Sequence, residues 1–397
     1  MAVLQAEVPA STGRERLLFL DWLRVLAVLG VFCFHTLRPF DSLSDWNIKN
    51  PERSFVADAF IAFFFQWGMP LFFVLAGAAC RFALRTRSGS RYFRERCLRL
   101  LLPLVVGYLL LSPPQAYVEE LTHGYFQGSF FQFYPWFFTH IQANWHAPWI
   151  YWVYHLWFLI FLWLFTLLAL PLFLFLRSDA GQRVIDKIAA WSSRPGMIFL
   201  FAIPIALIQM ALRAPFPAEH DWAEFVCDLA FFIYGYLLFS RPSFVEAIRK
   251  QGWLALGLGL LCFLIMTATL IAGYALNWEA APSYTVGSLL YQAIRSINAW
   301  AWLLFVLFCG IRWFNGNNNV LRYMNEAVLP FYVFQQPVII AVAFYVVPWN
   351  MGVFPKWLLI SVPAFVLLLA LYELLIRRLN GFRWLFGMKL RQDGISG

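Results

Sequence analysis

The sequence predicts an all-α integral membrane protein, a polytopic bundle of about ten transmembrane helices with both termini on the cytoplasmic side. Three observations carry this. Of the 397 residues, 61% are hydrophobic and only 13% are charged, about half the charge with which a soluble domain covers its surface. Apolar stretches of spanning length recur along the whole chain. Basic residues gather in alternate loops, the pattern of cytoplasmic segments.

The stretches lie at 17–37, 55–80, 98–117, 150–176, 197–213, 223–240, 253–275, 289–311, 327–347 and 357–376. Roughly 20 residues cross a bilayer. The fifth and sixth stretches are short, so tilt or partial insertion is expected there. No small-residue cleavage site closes the first, which therefore reads as a retained helix rather than a signal peptide. With the N-terminus inside, 23 of the 30 basic residues fall in cytoplasmic segments, five fall outside, and Arg24 and Arg295 lie within helices. The net charge of +9 then reflects topology and implies no nucleic-acid partner. One membrane domain, 17–376, fills the chain between cytoplasmic tails at 1–16 and 377–397.

The 43 Phe and 19 Trp residues suit a lipid bilayer as the principal partner. The outer stretch 118–149 holds eleven aromatics. Among them Trp136, Trp145 and Trp149 are candidate interfacial anchors, with a sugar-stacking platform as the competing reading. The six cysteines sit mostly in apolar runs without CxxC or Cys/His spacing, so neither a disulfide framework nor a metal site is expected. No internal repeat or phosphate-binding loop is present, and the sequence sets no oligomeric state.

Ionisable groups inside membrane helices are costly and mark functional candidates. The first helix holds Asp21, Arg24 and His35. At 100° per residue Arg24 and His35 differ by about 20°, and Asp21 lies within about 40° of His35, so all three line one stripe. The helical rise puts Arg24 about 16 Å from His35, on the cytoplasmic side. A self-neutralising Asp21–Arg24 pair with a headgroup histidine competes with this reading. Three such groups on one stripe favour function. His155, about five residues into the fourth helix, matches His35 in depth. A core histidine bonded to a backbone carbonyl is its alternative. Arg295 enters the eighth helix at a similar outer depth, with Asn298 one turn further in, and headgroup snorkelling is its competing explanation. Glu373 and Arg377, four apart, read as a structural ion pair.

Several segments in consistent order resemble the membrane-bound acyltransferase-three family, the nearest look-alikes being bacterial glucan succinyltransferases and other carbohydrate O-acyltransferases. Arg24 and His35 match its Arg-x10-His signature inside "FLDWLRVLAVLGVFCFH". "PLFFVLAGAACRF", "RERCLRLLLP", "YHLWFL", "NEAVLPFYVFQQPVII" and "LYELLIRRLNGFRWLFG" follow in the family's order. Two positions depart from it. Ala76 replaces a small hydroxyl residue, and Gln335, followed by Gln336, stands where relatives carry a histidine. Glutamine donates and accepts hydrogen bonds but is no general base.

The resemblance implies transfer of an acyl group, of acetyl or succinyl type, from cytoplasmic acyl-CoA to a hydroxyl of an outward-facing carbohydrate or glucan. It places the protein in a bacterial inner membrane, with acetyl-CoA or succinyl-CoA as co-substrate and no metal. His35 becomes the candidate general base, Arg24 the group steering the CoA arm, and Asp21 its orienting partner. His155, Trp157, Arg295, Gln335 and Gln336 become candidates for the acceptor or acyl tail, with packing as the alternative for Trp157. Arg81, Arg96 and Arg99 at the inner face become candidates for CoA phosphates, although every cytoplasmic loop is basic for topological reasons. A transporter or flippase is the reading from another class. It would more often show matched inverted halves and broken helices. Pro70, Pro204 and Pro337 interrupt helices, but no matched halves appear. In a third reading the chain moves the acyl group across the membrane for a separate enzyme.

Overall fold

The computed structural model describes residues 17–140 and 149–391. Arg14 and Arg16 of the N-terminal tail, Trp145 of the outer stretch and the last six residues lie outside these. Every regular element among the described residues is helical. In order they are α1 (Leu18–Leu37), α2 (Phe55–Leu84), α3 (Gly89–Leu110), α4 (Ser112–Thr122), α5 (Phe130–His140), α6 (Trp157–Arg177), α7 (Asp179–Ser192), α8 (Ala202–Leu212), α9 (Trp222–Leu238), α10 (Pro242–Ile271), α11 (Tyr274–Ala280), α12 (Val286–Trp313), α13 (Asn319–Val346), α14 (Val353–Leu371) and α15 (Asn380–Leu385).

Among the described residues, eight helical segments are long and apolar enough to cross a membrane: Leu18–Phe40, Phe55–Leu84, Gly89–Thr122, Val153–Arg177, Pro242–Ile271, Val286–Trp313, Asn319–Val346 and Val353–Ile376. Their exposed leucines, Leu168, Leu254, Leu264 and Leu367 among them, face outward as a lipid-contacting surface requires. The segment Met197–Leu212 and α9 are shorter, and they are the fifth and sixth apolar stretches of the sequence, in that order. Because they are consecutive, later helices keep their sides whether this pair crosses fully or partway.

The face that carries the basic loops is the one the sequence predicts to be inner. The five cations on the opposite side each bond within the protein, Arg53 from an exposed position. Arg38 and Lys49 pair with Asp41, Arg53 donates to the Pro39 carbonyl, Arg213 pairs with Glu224, and Lys356 donates to Asn50 and the Val347 carbonyl.

α1 is the central helix, packed by α2, α12, α13 and α14. It stops where Pro39 enters a 3-10 turn, since proline offers no N–H to extend the ladder. The tightest crossing joins α2 and α9. A Cβ on Gly77 would lie 1.9 Å from the Phe232 carbonyl oxygen, and one on Gly235 would lie 2.0 Å from that of Val74. Small residues here let two backbones touch, the usual means of packing helices in lipid. The Asn-rich run 315–319 begins α13, where Asn318 Oδ1 accepts from the Leu321 N–H at 2.7 Å. This satisfies one of the open donors of a helix start.

Two expected boundaries moved. The third stretch is broken at Leu111 into α3 and α4, ahead of Pro113 and Pro114. The fourth does not begin as an α-helix. A 3-10 turn, Trp149–Leu156, precedes α6, and Tyr154 sits in it at φ 49°. His155 therefore belongs to this irregular segment and not to an α-helical face. Irregular backbone at membrane depth is tolerated where protein groups satisfy it. Here the Tyr332 hydroxyl donates to the His155 carbonyl. The outer aromatic stretch folds as α5 against α4, with Phe133 and Phe137 fully buried and Trp136 packed on the rings of Phe126 and Phe133. The side chain of Trp149 lies outside the described set. Glu373 and Arg377 form the expected ion pair at 2.9 Å.

Candidate active site

The stripe predicted on α1 is assembled as two stations. At the inner station Asp21 is buried, and Arg24 Nη1 donates to its Oδ1 at 3.2 Å and to Asn325 Oδ1 of α13 at 3.2 Å. The self-neutralising pair is therefore real, but Asn325 extends it across to a second helix. Asn325 was not singled out by sequence reasoning, although it lies in the quoted "NEAV" segment.

At the outer station His35 and His155 meet edge to face, with ring centroids 6.3 Å apart. His155 Nε2 lies 2.9 Å from the Val333 carbonyl oxygen. A carbonyl only accepts, so Nε2 carries the hydrogen and Nδ1 of the neutral ring holds the lone pair. That Nδ1 and the Nδ1 of His35 are both buried without a hydrogen-bond partner among the described residues. The carbonyl-bonded core histidine weighed as an alternative for His155 is thus the observed geometry, and it also leaves one ring nitrogen unspent. Tyr154, the residue before it, donates through its hydroxyl to Glu119 Oε2 at 2.8 Å, and Asn47 Nδ2 donates to the same oxygen at 2.7 Å. These contacts tie the 3-10 turn to α4 and to the loop around Asn47.

The three inner arginines proposed for CoA differ sharply. Arg96 donates to the Tyr92 hydroxyl at 2.9 Å and to Cys80 Sγ at 3.4 Å, an internal network that ties α3 to α2. Arg81 lies over the Tyr236 ring at 5.8 Å, with its Nε unpartnered among the described residues. Arg99 is exposed, within electrostatic reach of Arg96, Arg24 and Arg87. The inner station is therefore cationic, with Arg99 exposed and Arg24 partly exposed and bonded to Asp21 and Asn325.

Trp157 and Arg295 do not join the histidines directly. Both line a separate outer cleft, where the Trp157 ring stacks on His220 at 4.0 Å between centroids. Gln335 and Gln336 are buried on α13, and neither polar atom of the Gln335 side chain has a partner among the described residues. Sequence reasoning missed Glu224 and Asp228, although both are ionisable groups four apart on the apolar helix α9. The rule that flagged α1 applies equally to them. No group of three metal-ligating side chains occurs among the described residues.

Comparison with known proteins gives one match. A family model described as an acyltransferase domain matches residues 17–373. No curated protein and no solved structure matches the chain.

Proposed function

The chain belongs to the acyltransferase-3 family, and from that premise of a multi-pass membrane acyltransferase we propose that it carries an acyl group of acetyl or succinyl type from cytoplasmic acyl-CoA to a hydroxyl of an outward-facing carbohydrate, in a bacterial inner membrane. The observation that carries this reading is the two-station stripe on α1. Arg24, near Arg99, at the inner end and His35, against His155, at the outer end share one face of α1, about 16 Å apart by helical rise.

Each station suits one half of the reaction. Acyl-CoA brings phosphates, for which Arg99 and Arg24 offer charge-assisted hydrogen bonds. The stem of the CoA arm then runs along the stripe and delivers the thioester to His35. The acceptor hydroxyl oxygen attacks the thioester carbon while a neutral imidazole of the pair takes its proton. The C–S bond breaks, and the departing thiolate recovers that proton as CoA-SH. Ester and free CoA are the products, with no oxidant or metal required. General-base help of this kind contributes on the order of 10²–10⁴-fold. His155, held by Val333 and Tyr332, orients His35 or shares its proton.

Purified protein in lipid nanodiscs, given radiolabelled acetyl-CoA or succinyl-CoA with a glucan oligosaccharide, should release CoA and label the sugar. Label that crosses a vesicle membrane with no CoA released and no ester formed would replace this reading by transport.

A further inference from the structure

α1 and α13 run side by side in the same direction, and their contacts climb together. Arg24 bonds Asn325 near the inner ends, and further out the Phe32 ring lies 5.7 Å from that of Phe331. Asn325 and Gln336 are eleven residues apart, as are Arg24 and His35. Eleven helical residues advance about 16 Å and return to within about 20° of the starting direction. By this register Gln336 stands toward His35 as Asn325 stands toward Arg24. The α13 side chain one turn below it agrees. The Tyr332 hydroxyl bonds the His155 carbonyl, and its ring centroid lies 5.5 Å from that of the His155 imidazole. That imidazole is the one that meets His35.

Gln336 is buried, and its side-chain amide makes no hydrogen bond among the described residues. The donors near it on the same elements are already spent. His155 Nε2 is bonded to the Val333 carbonyl and the Tyr332 hydroxyl to that of His155. The Thr36 hydroxyl donates to the Cys33 carbonyl, and Arg38 donates to Asp41, Ser44 and the Asp45 carbonyl. An open amide in this layer is costly unless something bonds it.

Acyl transfer supplies an atom that needs such a donor. As the hydroxyl oxygen bonds the thioester carbon, the π pair of the C=O group moves onto the carbonyl oxygen. The pair returns when the C–S bond breaks. An oxyanion of this kind takes donors only, and donors aimed at it in a site without water lower the barrier. The histidine nitrogen that receives the hydroxyl proton presents a lone pair, so it cannot donate as well. Arg24 is about 16 Å away along α1. A glutamine Nε2 carries two N–H groups and does not titrate.

We propose that Gln336 Nε2 is the donor to the thioester carbonyl oxygen and to the oxyanion it becomes, and so a catalytic group for the donor half of the reaction. This is a different task from the acceptor or acyl tail that the family resemblance implied for Gln336, and it rests on the acyl-transfer reading. Gln335 points about 100° away around α13, and both polar atoms of its side chain are also unbonded among the described residues. The test therefore separates the two.

Gln336→Met keeps the length and packing of the side chain and removes the amide. In nanodiscs its kcat for CoA release with a glucan acceptor should fall on the order of 10²–10³-fold, with KM for acyl-CoA little changed. Infrared difference spectra of bound acetyl-CoA, isotope-labelled at the carbonyl and without acceptor, give a second readout. The carbonyl band should lie lower in the parental protein than in Gln336→Met, because a donated hydrogen bond weakens the C=O bond. A packing role would not move it. Melting curves identify any variant that fails to fold. Gln336→Asn, an amide on a shorter stem, is read in the same way and should lose less. A parental kcat in Gln336→Met, a carbonyl band at the parental position, or a loss found only in Gln335→Met overturns the assignment. A parental protein that releases no CoA and forms no ester overturns the transfer reading itself, and this role with it.

Discussion

At His35 two properties coincide: a buried ring nitrogen without a partner among the described residues and a second imidazole against the ring. His35→Gln keeps a hydrogen-bonding group of similar reach without a proton-accepting base. It should lose on the order of 10²–10⁴-fold in acyl transfer, with thermal stability and acyl-CoA binding nearly unchanged. Transfer at the parental rate would end the general-base role. The inner arginines allow a second comparison at the same scale. Arg99→Ala should raise the acyl-CoA concentration needed for half-maximal CoA release, because an exposed cation at the inner end loses only its phosphate contacts. Arg96→Ala should chiefly lower the melting temperature, since it removes the guanidinium that bonds both Tyr92 and Cys80 across the α2–α3 contact. Equal effects of both variants on acyl-CoA affinity, with equal stability, would contradict this division.

Among the elements, the α2–α9 crossing decides where the outer cleft sits, because α9 carries Glu224 and Asp228 while α2 carries Phe65 and Met69. The crossing depends on Gly77 and Gly235, each against opposing backbone that cannot rotate away. Gly235→Ala should therefore destabilise by roughly 1–3 kcal/mol through overpacking. Gly257→Ala, in α10 with nothing within 4 Å of the added Cβ, should be neutral or stabilise by roughly 0.5–1 kcal/mol. Denaturation of both variants in the same detergent reads the contrast, and similar shifts would remove the crossing from the argument. The same scale explains why the fourth stretch was misplaced at its start. The run before α6 is apolar throughout, with no glycine at Tyr154 to signal a left-handed residue, and Pro148 is the only nearby breaker. Its break is set by Glu119 and Tyr332, which lie far away in the chain.

For the whole molecule, the basic loops and the helix order make a single topology testable. Arg91→Cys and Asn317→Cys should stay unlabelled by an impermeant maleimide in intact cells, whereas Gln127→Cys and Pro282→Cys should react above the parental background. Labelling at residue 317 would require an even number of crossings between it and residue 282, which the single helix α12 cannot supply, and would refute the bundle as described.

By itself the sequence determined the helical membrane class, the order of the apolar stretches, the family, and the stripe of Asp21, Arg24 and His35, whereas eight rather than ten of the helices among the described residues are long and apolar enough to span. These are local or periodic properties. A bilayer demands continuous apolar runs whose backbone bonds close within the segment, and a helix's period places side chains without reference to any partner. Only the tertiary structure decided that His155 faces His35, that Asn325 shares Arg24, that Arg96 is tied to Tyr92 and Cys80, and that Gln209, Asp228 and Arg295 open onto one cleft. Each of those depends on which helices are neighbours. In lipid that choice is made by close packing of small residues, such as Gly77 on Gly235, and by bonds between buried polar groups. Neither leaves a period in the sequence from which the partner helix can be read.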